Sequence, residues 1–258
     1  MRVDVEVVAE YRAPKEGQTL EECEDRYAVS VSGPALDIVA VSDGASMAAQ
    51  PGLWAQYLVA RFIEAPTLAI DIAWLAPAAR SFVAAFDLAR LPWHALEKIS
   101  RGAFATLAGL IVNRDAAEFS MVAVGDSCIA WWGTQDEGVF PYTSAEAMPE
   151  HPYLICHIAD RNGNLPEHLQ FRDSLPLGRG EQFFFLMTDA LARWYLAARQ
   201  QDSTPWETLL RATSSGEFES WLDTERGEGR IDNDDVTLVI LRIQVEQKPV
   251  NDASSVTV

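Results

Sequence analysis

Leu36-Asp37-Ile38-Val39-Ala40-Val41-Ser42-Asp43-Gly44 is a short apolar run, β-branched at three positions, that stops on a carboxylate and a glycine. Its length and composition predict a buried strand over Leu36–Val41, bounded by Ser42-Asp43-Gly44. Three other stretches share that form. Phe183–Met187 is almost wholly apolar and ends at Thr188-Asp189, Met121–Val124 runs into Gly125-Asp126, and Asp234-Asp235 immediately precedes Val236–Leu241. Each aspartate thus stands where a core strand leaves or enters a sheet. Taken singly, each has an ordinary structural reading: strand-end Asp is a common turn residue, and Asp189 would serve as a helix N-cap. Taken together they point elsewhere. A carboxylate at such a place costs free energy unless its charge is compensated, and several would repel one another. Mg²⁺ or Mn²⁺ removes both costs, because hard cations take oxygen ligands. Such ions can also make a shared water nucleophilic at neutral pH and aim it at phosphorus.

Outward from these strands, the pattern predicts strands over Val3–Ala9 and Arg26–Ser32, with a turn at Gly33-Pro34. Helical periodicity follows Pro51-Gly52 through Leu53, Trp54, Tyr57, Leu58 and Phe62, and two more helices are expected over Ala76–Leu88 and Pro92–Arg101. Phe104–Val112 and Glu118–Val124 read as a hairpin, and the Gly125-Asp126-Ser127 turn before Cys128–Trp132 extends it into a meander. Thr134–Pro176 is loop-rich, with short strand candidates at Tyr153–Ile155 and Leu169–Arg172. A helix over Ala190–Arg199, two more within Pro205–Leu222 and a closing strand over Val236–Ile243 complete the order. Segregated strands and helices argue for α+β layers. No repeat or linker divides the chain, so a single domain is expected over 1–246, with a disordered tail from 247 to 258.

Composition narrows the function. The chain has 258 residues, near the upper end of what one core serves, so one domain is the first expectation and two small ones the second; its formal net charge is −18. Such a charge repels nucleic acid and anionic membranes, and no Lys/Arg run offsets it. Phosphate chemistry on so acidic a protein needs cations held locally. Cys23, Cys128 and Cys156 fit neither a disulfide framework nor a zinc ribbon, and no apolar stretch suits a signal peptide or a membrane span. A cytoplasmic protein is expected. His151, Cys156 and His157 match no zinc spacing and are expected in loop or core roles, as are Trp54, Trp131 and Trp132. Neither a nucleophile elbow nor a phosphate-binding glycine loop occurs.

The ordered set of motifs resembles the metal-dependent protein phosphatases of type 2C, above all their stand-alone bacterial branch. Cys23-Glu24-Asp25-Arg26 resembles the early acidic motif and Val41-Ser42-Asp43-Gly44-Ala45-Ser46 the D-G motif. Gly102–Thr106 with Val124-Gly125-Asp126-Ser127 resembles the middle strand pair. Met187-Thr188-Asp189-Ala190 resembles S-D-G, and Asn233-Asp234-Asp235-Val236-Thr237-Leu238 the closing motif. The resemblance implies a four-layer αββα sandwich of two antiparallel β-sheets flanked by helices, with two Mg²⁺ or Mn²⁺ ions at one end. Asp43 would bridge both ions and orient the attacking water, and the carbonyl of Gly44 would bind one of them. Asp189 and Asp234 would bind the other, Glu24 and Asp25 would act through bound water, and Asp126 matches a ligand of a third ion in some members. The implied reaction is hydrolysis of phosphoserine or phosphothreonine in a protein, without a phosphoenzyme, and a partner kinase is implied with it.

Three residues depart from the pattern. No Arg stands in Thr19–Glu22, where the family's phosphate-gripping Arg is often found, leaving Arg12 or Arg26 as substitutes. Ala45 replaces a His proposed as general acid, whose loss typically costs about 10²–10⁴-fold in rate. Arg193 stands four residues past Asp189, where a third-metal Asp is usual, which counts against a third ion. These departures motivate an alternative: a catalytically weak or inactive binding module that partners a kinase or sensor protein. A phosphatase for small phosphate esters is a third reading.

Overall fold

A computed structural model describes the chain except residues 32, 34, 46–49, 202, 215 and 247–258. Ser46 of the D-G motif, Pro34 of the expected turn and the expected tail lie outside the described residues. In chain order the strands are β1 (Arg2–Ala13), β2 (Arg26–Ser30), β3 (Leu36–Ser42), β4 (Phe104–Ala105), β5 (Leu107–Asn113), β6 (Glu118–Val124), β7 (Cys128–Gly133), β8 (Glu137–Phe140), β9 (Ile155–Cys156), β10 (Gln170–Pro176), β11 (Gly180–Met187) and β12 (Val236–Glu246). The helices are α1 (Pro51–Glu64), α2 (Ile72–Ala84), α3 (Trp93–Arg101), α4 (Leu165–His168), α5 (Asp189–Gln200), α6 (Pro205–Ser214) and α7 (Phe218–Gly227).

Two antiparallel five-stranded sheets form, in the orders β1-β12-β11-β7-β8 and β10-β6-β5-β3-β2. The central strands are apolar on both faces because both faces are covered. On β11, Phe183, Phe185 and Met187 pack with α5, α6 and α7, while Phe184 and Leu186 point into the space between the sheets. On β12, Leu238 and Ile240 take the helical side and Val239, Leu241 and Ile243 the inner side. β3 does the same: Ile38 and Ala40 meet α1 and α2, and Val39 and Val41 face inward. The period of two therefore builds three apolar seams, hence four layers, αββα. Gly109 on β5 leaves room for Phe62 of α1, whose ring carbons would lie 2.4–2.9 Å from a Cβ there. Trp54 is wholly buried, and Trp132 stacks on Trp206. His157 packs against Phe82 and Trp54, and its Nδ1 accepts the Ala103 N–H at 2.9 Å. No helix of the described residues is long and apolar enough to cross a membrane.

Several local expectations are corrected. The meander reading of β6 and β7 fails: they lie in different sheets, and 125–127 carries the chain across the sandwich. Alternating apolar residues on both strands cannot tell a hairpin turn from a crossing between layers. The expected strand over Phe104–Val112 breaks at Thr106, because Phe104–Ala105 pairs with β9 while Leu107 onward pairs with β3 and β6. α2 begins at Ile72, not Ala76, because Asp71 caps it by accepting the Trp74 N–H at 2.7 Å. β8 was not expected, its Glu-Gly start masking a strand on the sheet edge. α5 is capped at Thr188, so Asp189 is its first helical residue and not its N-cap.

Candidate functional site

The strand registers bring the sequence motifs to one edge. In one sheet Arg26 pairs with Ser42, Val41 with Ala108 and Leu107 with Val124, so Asp25, Asp43 and Asp126 emerge together. In the other, Met187 pairs with both Cys128 and Leu238, so Asp189 emerges beside Ser127 and the approach to β12. The 125–127 crossing ties the two edges to each other. Tyr142 holds it, donating to the Gly125 carbonyl at 3.1 Å.

Asp43 is fixed through its backbone. Its N–H donates to Thr106 Oγ1 at 2.9 Å, its carbonyl accepts the Thr106 N–H at 2.9 Å, and Thr106 Oγ1 also shares a 2.7 Å hydrogen bond with Ser127 Oγ. Gly44 is needed for a close approach: a Cβ there would lie 2.6–2.9 Å from the backbone of Pro51 and Gly52, where α1 begins. Asp25 is fully buried, and its Oδ2 accepts from Thr188 Oγ1 at 2.7 Å. Thr188 in turn accepts the Thr237 N–H at 2.8 Å, joining the acidic loop to β11 and β12.

The electrostatics are those of crowded carboxylates. Burial, then the charges of Asp25, Asp189, Asp126 and Asp234, push the Asp43 carboxyl well above the usual range. Asp25 is raised by burial and then by the charges of Asp189 and Asp235, and Asp189 by burial and then by those of Asp234 and Asp232. Burial and the Asp189 charge push Asp126 up to about 7. Asp25 Oδ1 and Asp126 Oδ1 are buried without any hydrogen-bond partner. Arg193, one turn beyond Asp189 on α5, is the positive charge that counters Asp126 and Asp189. Orphaned, buried, mutually repelling oxygens are the donor set that hard divalent cations suit. Even so, among the described residues no group of three or more His, Cys, Asp or Glu is arranged to hold a metal ion as it stands.

Of the carboxylates at this edge Asp25 and Asp126 are buried and Asp43 and Asp189 partly so, while two further expected ligands are engaged with Lys15. Asp234 is half-exposed and pairs with Lys15 Nζ at 2.8 Å. Glu24 is partly buried near Lys15 and lines a neighbouring cavity. The sequence reading passed over Asp235, which organises both loops: its carboxylate accepts the Lys15 N–H at 2.9 Å and the Glu24 N–H at 2.6 Å. Lys15 carries no motif, and Thr106 ends the Gly102–Thr106 stretch with no carboxylate to mark its role. Of the two candidate phosphate arginines, Arg26 donates to the Cys23 and Asp25 carbonyls at 2.5 and 2.6 Å, and Arg12 reaches the Asp25 and Leu20 carbonyls at 3.5 Å. Both brace the acidic loop.

No known family's sequence pattern and no curated protein matches the chain. Solved structures do. The photosystem II phosphatase PBCP matches with a TM-score of 0.55 at 13% identity, over 95% of this chain and 99% of that one. The catalytic domain of the serine/threonine phosphatase PstP, solved with two manganese ions, gives 0.52 at 16%, over 94% and 100%. The PP2C phosphatase domain of SpoIIE from Bacillus subtilis, with part of its regulatory domain, gives 0.51 at 13%, over 96% and 65%. This is the type 2C phosphatase fold. In the type 2C fold of this chain, the carboxylate-bearing edge is where the two sheets are joined by the 125–127 crossing, with the N-terminus of α5 beside it.

Proposed function

We propose that the chain is a Mg²⁺- or Mn²⁺-dependent protein phosphatase acting on phosphoserine or phosphothreonine. The observation that carries this reading is the convergence of Asp25, Asp43, Asp126 and Asp189 at one edge, with carboxyls raised by desolvation and by neighbouring carboxylates, Asp234 among them. Asp43, the Gly44 carbonyl, Asp189 and Asp234 would hold two ions, with Glu24 and Asp25 acting through water. Divalent ions bound there supply an activated water and positive charge for the phosphoryl oxygens. The chain's own part is positional. Thr106 and Ser127 fix the backbone of Asp43, Thr188 orients Asp25, and Asp235 anchors the loop that carries Glu24. Arg193 offsets part of the charge on the Asp126 side, which counts against a third ion there. Lys15 neutralises Asp234, and recruiting Asp234 as a ligand requires that ion pair to open.

The test is hydrolysis of p-nitrophenyl phosphate. Turnover is expected to need Mn²⁺ or Mg²⁺, to stop with chelator and to vanish in Asp43→Asn. Metal-independent turnover would refute the assignment. The Lys15–Asp234 pair, Ala45 and the bracing of Arg12 and Arg26 favour a second reading, a phosphatase-like module that binds a kinase or sensor protein without turnover. Metal uptake by calorimetry with no hydrolysis of any phosphopeptide selects it.

A further inference from the structure

Beside the carboxylate edge lies a cavity of about 500 Å³ that shares Glu24 with the site above but is otherwise lined by residues that take no part in the chemistry there. One wall is the loop before β2, with Glu21 and Glu24. The opposite wall, from the end of α2 and from α3, presents Phe86, Leu91 and Ile99 together with the exposed Lys98, and Arg26 lines the loop side with its guanidinium held by the Cys23 and Asp25 carbonyls. The floor is Pro51 and Gly52, the same backbone on which Gly44 packs next to Asp43. An occupant of the cavity therefore lies alongside the carboxylates. Phe86 is anchored to the core by edge contact with Phe82, ring centroids 5.1 Å apart. By contrast α3 buries none of its residues, and Trp93 on it is 75% exposed. Leu88 and Leu96 are exposed on the same arm. α3 is an amphipathic helix whose Ala95 and Ile99 line the cavity only partly buried, which leaves room for a ligand against them.

Charge indicates which ligand. A phosphorylated substrate approaches a molecule of net charge −18 against repulsion, and basic residues next to its phosphate turn that into attraction. Glu21 has no ion-pair partner among the described residues and stands on the cavity wall. We propose that this cavity docks the polypeptide segment flanking the phosphoresidue of a protein substrate. An apolar side chain sits against Phe86, Leu91 and Ile99, and a basic side chain faces Glu21 and Glu24. The proposal rests on the phosphatase reading and names its substrate class. A small phosphate ester would leave the apolar wall uncovered and face the acidic wall without compensation.

The test uses a phosphothreonine peptide with Arg and Leu beside the phosphoresidue, the same peptide with Glu in place of Arg, and p-nitrophenyl phosphate as reference. The Arg peptide is expected to exceed the Glu peptide by about tenfold in kcat/KM, a difference of one well-placed charge contact. Glu21→Lys is expected to narrow or reverse that preference. Leu91→Ala with Ile99→Ala, in an arm outside the core, is expected to lower the ratio of peptide to p-nitrophenyl phosphate kcat/KM by a similar factor. Equal turnover of both peptides, a ratio unmoved by these variants, or a phosphorylated metabolite matching the Arg peptide overturns the proposal. If no phosphate compound is hydrolysed, the phosphatase reading fails, and anisotropy with the labelled peptides decides docking by itself. Binding that follows the same charge reversal upholds it, and no binding overturns it.

Discussion

Asp126 shows what crowded carboxylates at this edge cost in stability. Its carboxyl titrates near 7 in the fold, whereas an unfolded chain would release that proton near the ordinary 3.8. Between those values the folded state binds more protons than the unfolded one, so stability falls as pH rises through that window. Above it the penalty is complete. In chelator, the wild-type protein is expected to lose melting temperature from about pH 4 to about pH 7 as this group and its raised neighbours ionise. Asp126→Asn removes one of the repelling charges. It is expected to flatten that slope and to gain roughly 1–3 kcal/mol at pH 8 without metal. Thermal melts in chelator across pH check this, and a variant with the wild-type slope would contradict the crowding described here. Asp235 carries the opposite lesson: a buried carboxylate whose two oxygens are satisfied by backbone donors is structural.

At the scale of elements, the acidic loop before β2 depends on bracing from several directions. Asp235 holds it at Lys15 and Glu24, Arg26 grips its carbonyls and Thr188 grips Asp25. Asp235→Ala leaves two buried or half-buried N–H groups without acceptors and is expected to cost about 2–4 kcal/mol. Asp235→Asn keeps one acceptor and is expected to cost less. Urea denaturation measures both, and a loss under ~0.5 kcal/mol in the alanine variant would show the brace to be idle. The elements themselves were legible where apolar periodicity was long, as in β3, β11, β12 and α1. Their connections were not. A tight Gly-Asp-Ser turn looks the same whether it folds a hairpin or crosses between layers, and the crossing proved to be what joins the two halves of the site. Asp71 starts α2 four residues before the Ala76 that helical periodicity suggests. Lys15, Thr106 and Asp235 stayed hidden because their partners lie in distant parts of the chain. The aspartates themselves were visible because each follows or precedes a strand too apolar to be exposed.

Over the whole molecule, the sandwich exists to bring motifs from both ends of the sequence to one edge. β3 and β6 deliver Asp43 and Asp126 from one sheet, and β11 and β12 deliver Asp189 and Asp234 from the other. The carboxylates there lie on a chain already at −18, and only bound cations would make the edge a place for phosphate. An ion that binds the folded state alone, at ~100 times its Kd, would stabilise it by about 2.7 kcal/mol. The direct measurement is anomalous diffraction from crystals soaked in Mn²⁺. Two peaks are expected beside Asp43, with Asp189 and Asp234 turned toward the second and the Lys15 ion pair opened. A map with no peak at Asp43, while Asp234 stays paired with Lys15, would contradict the assignment of this edge as a metal centre.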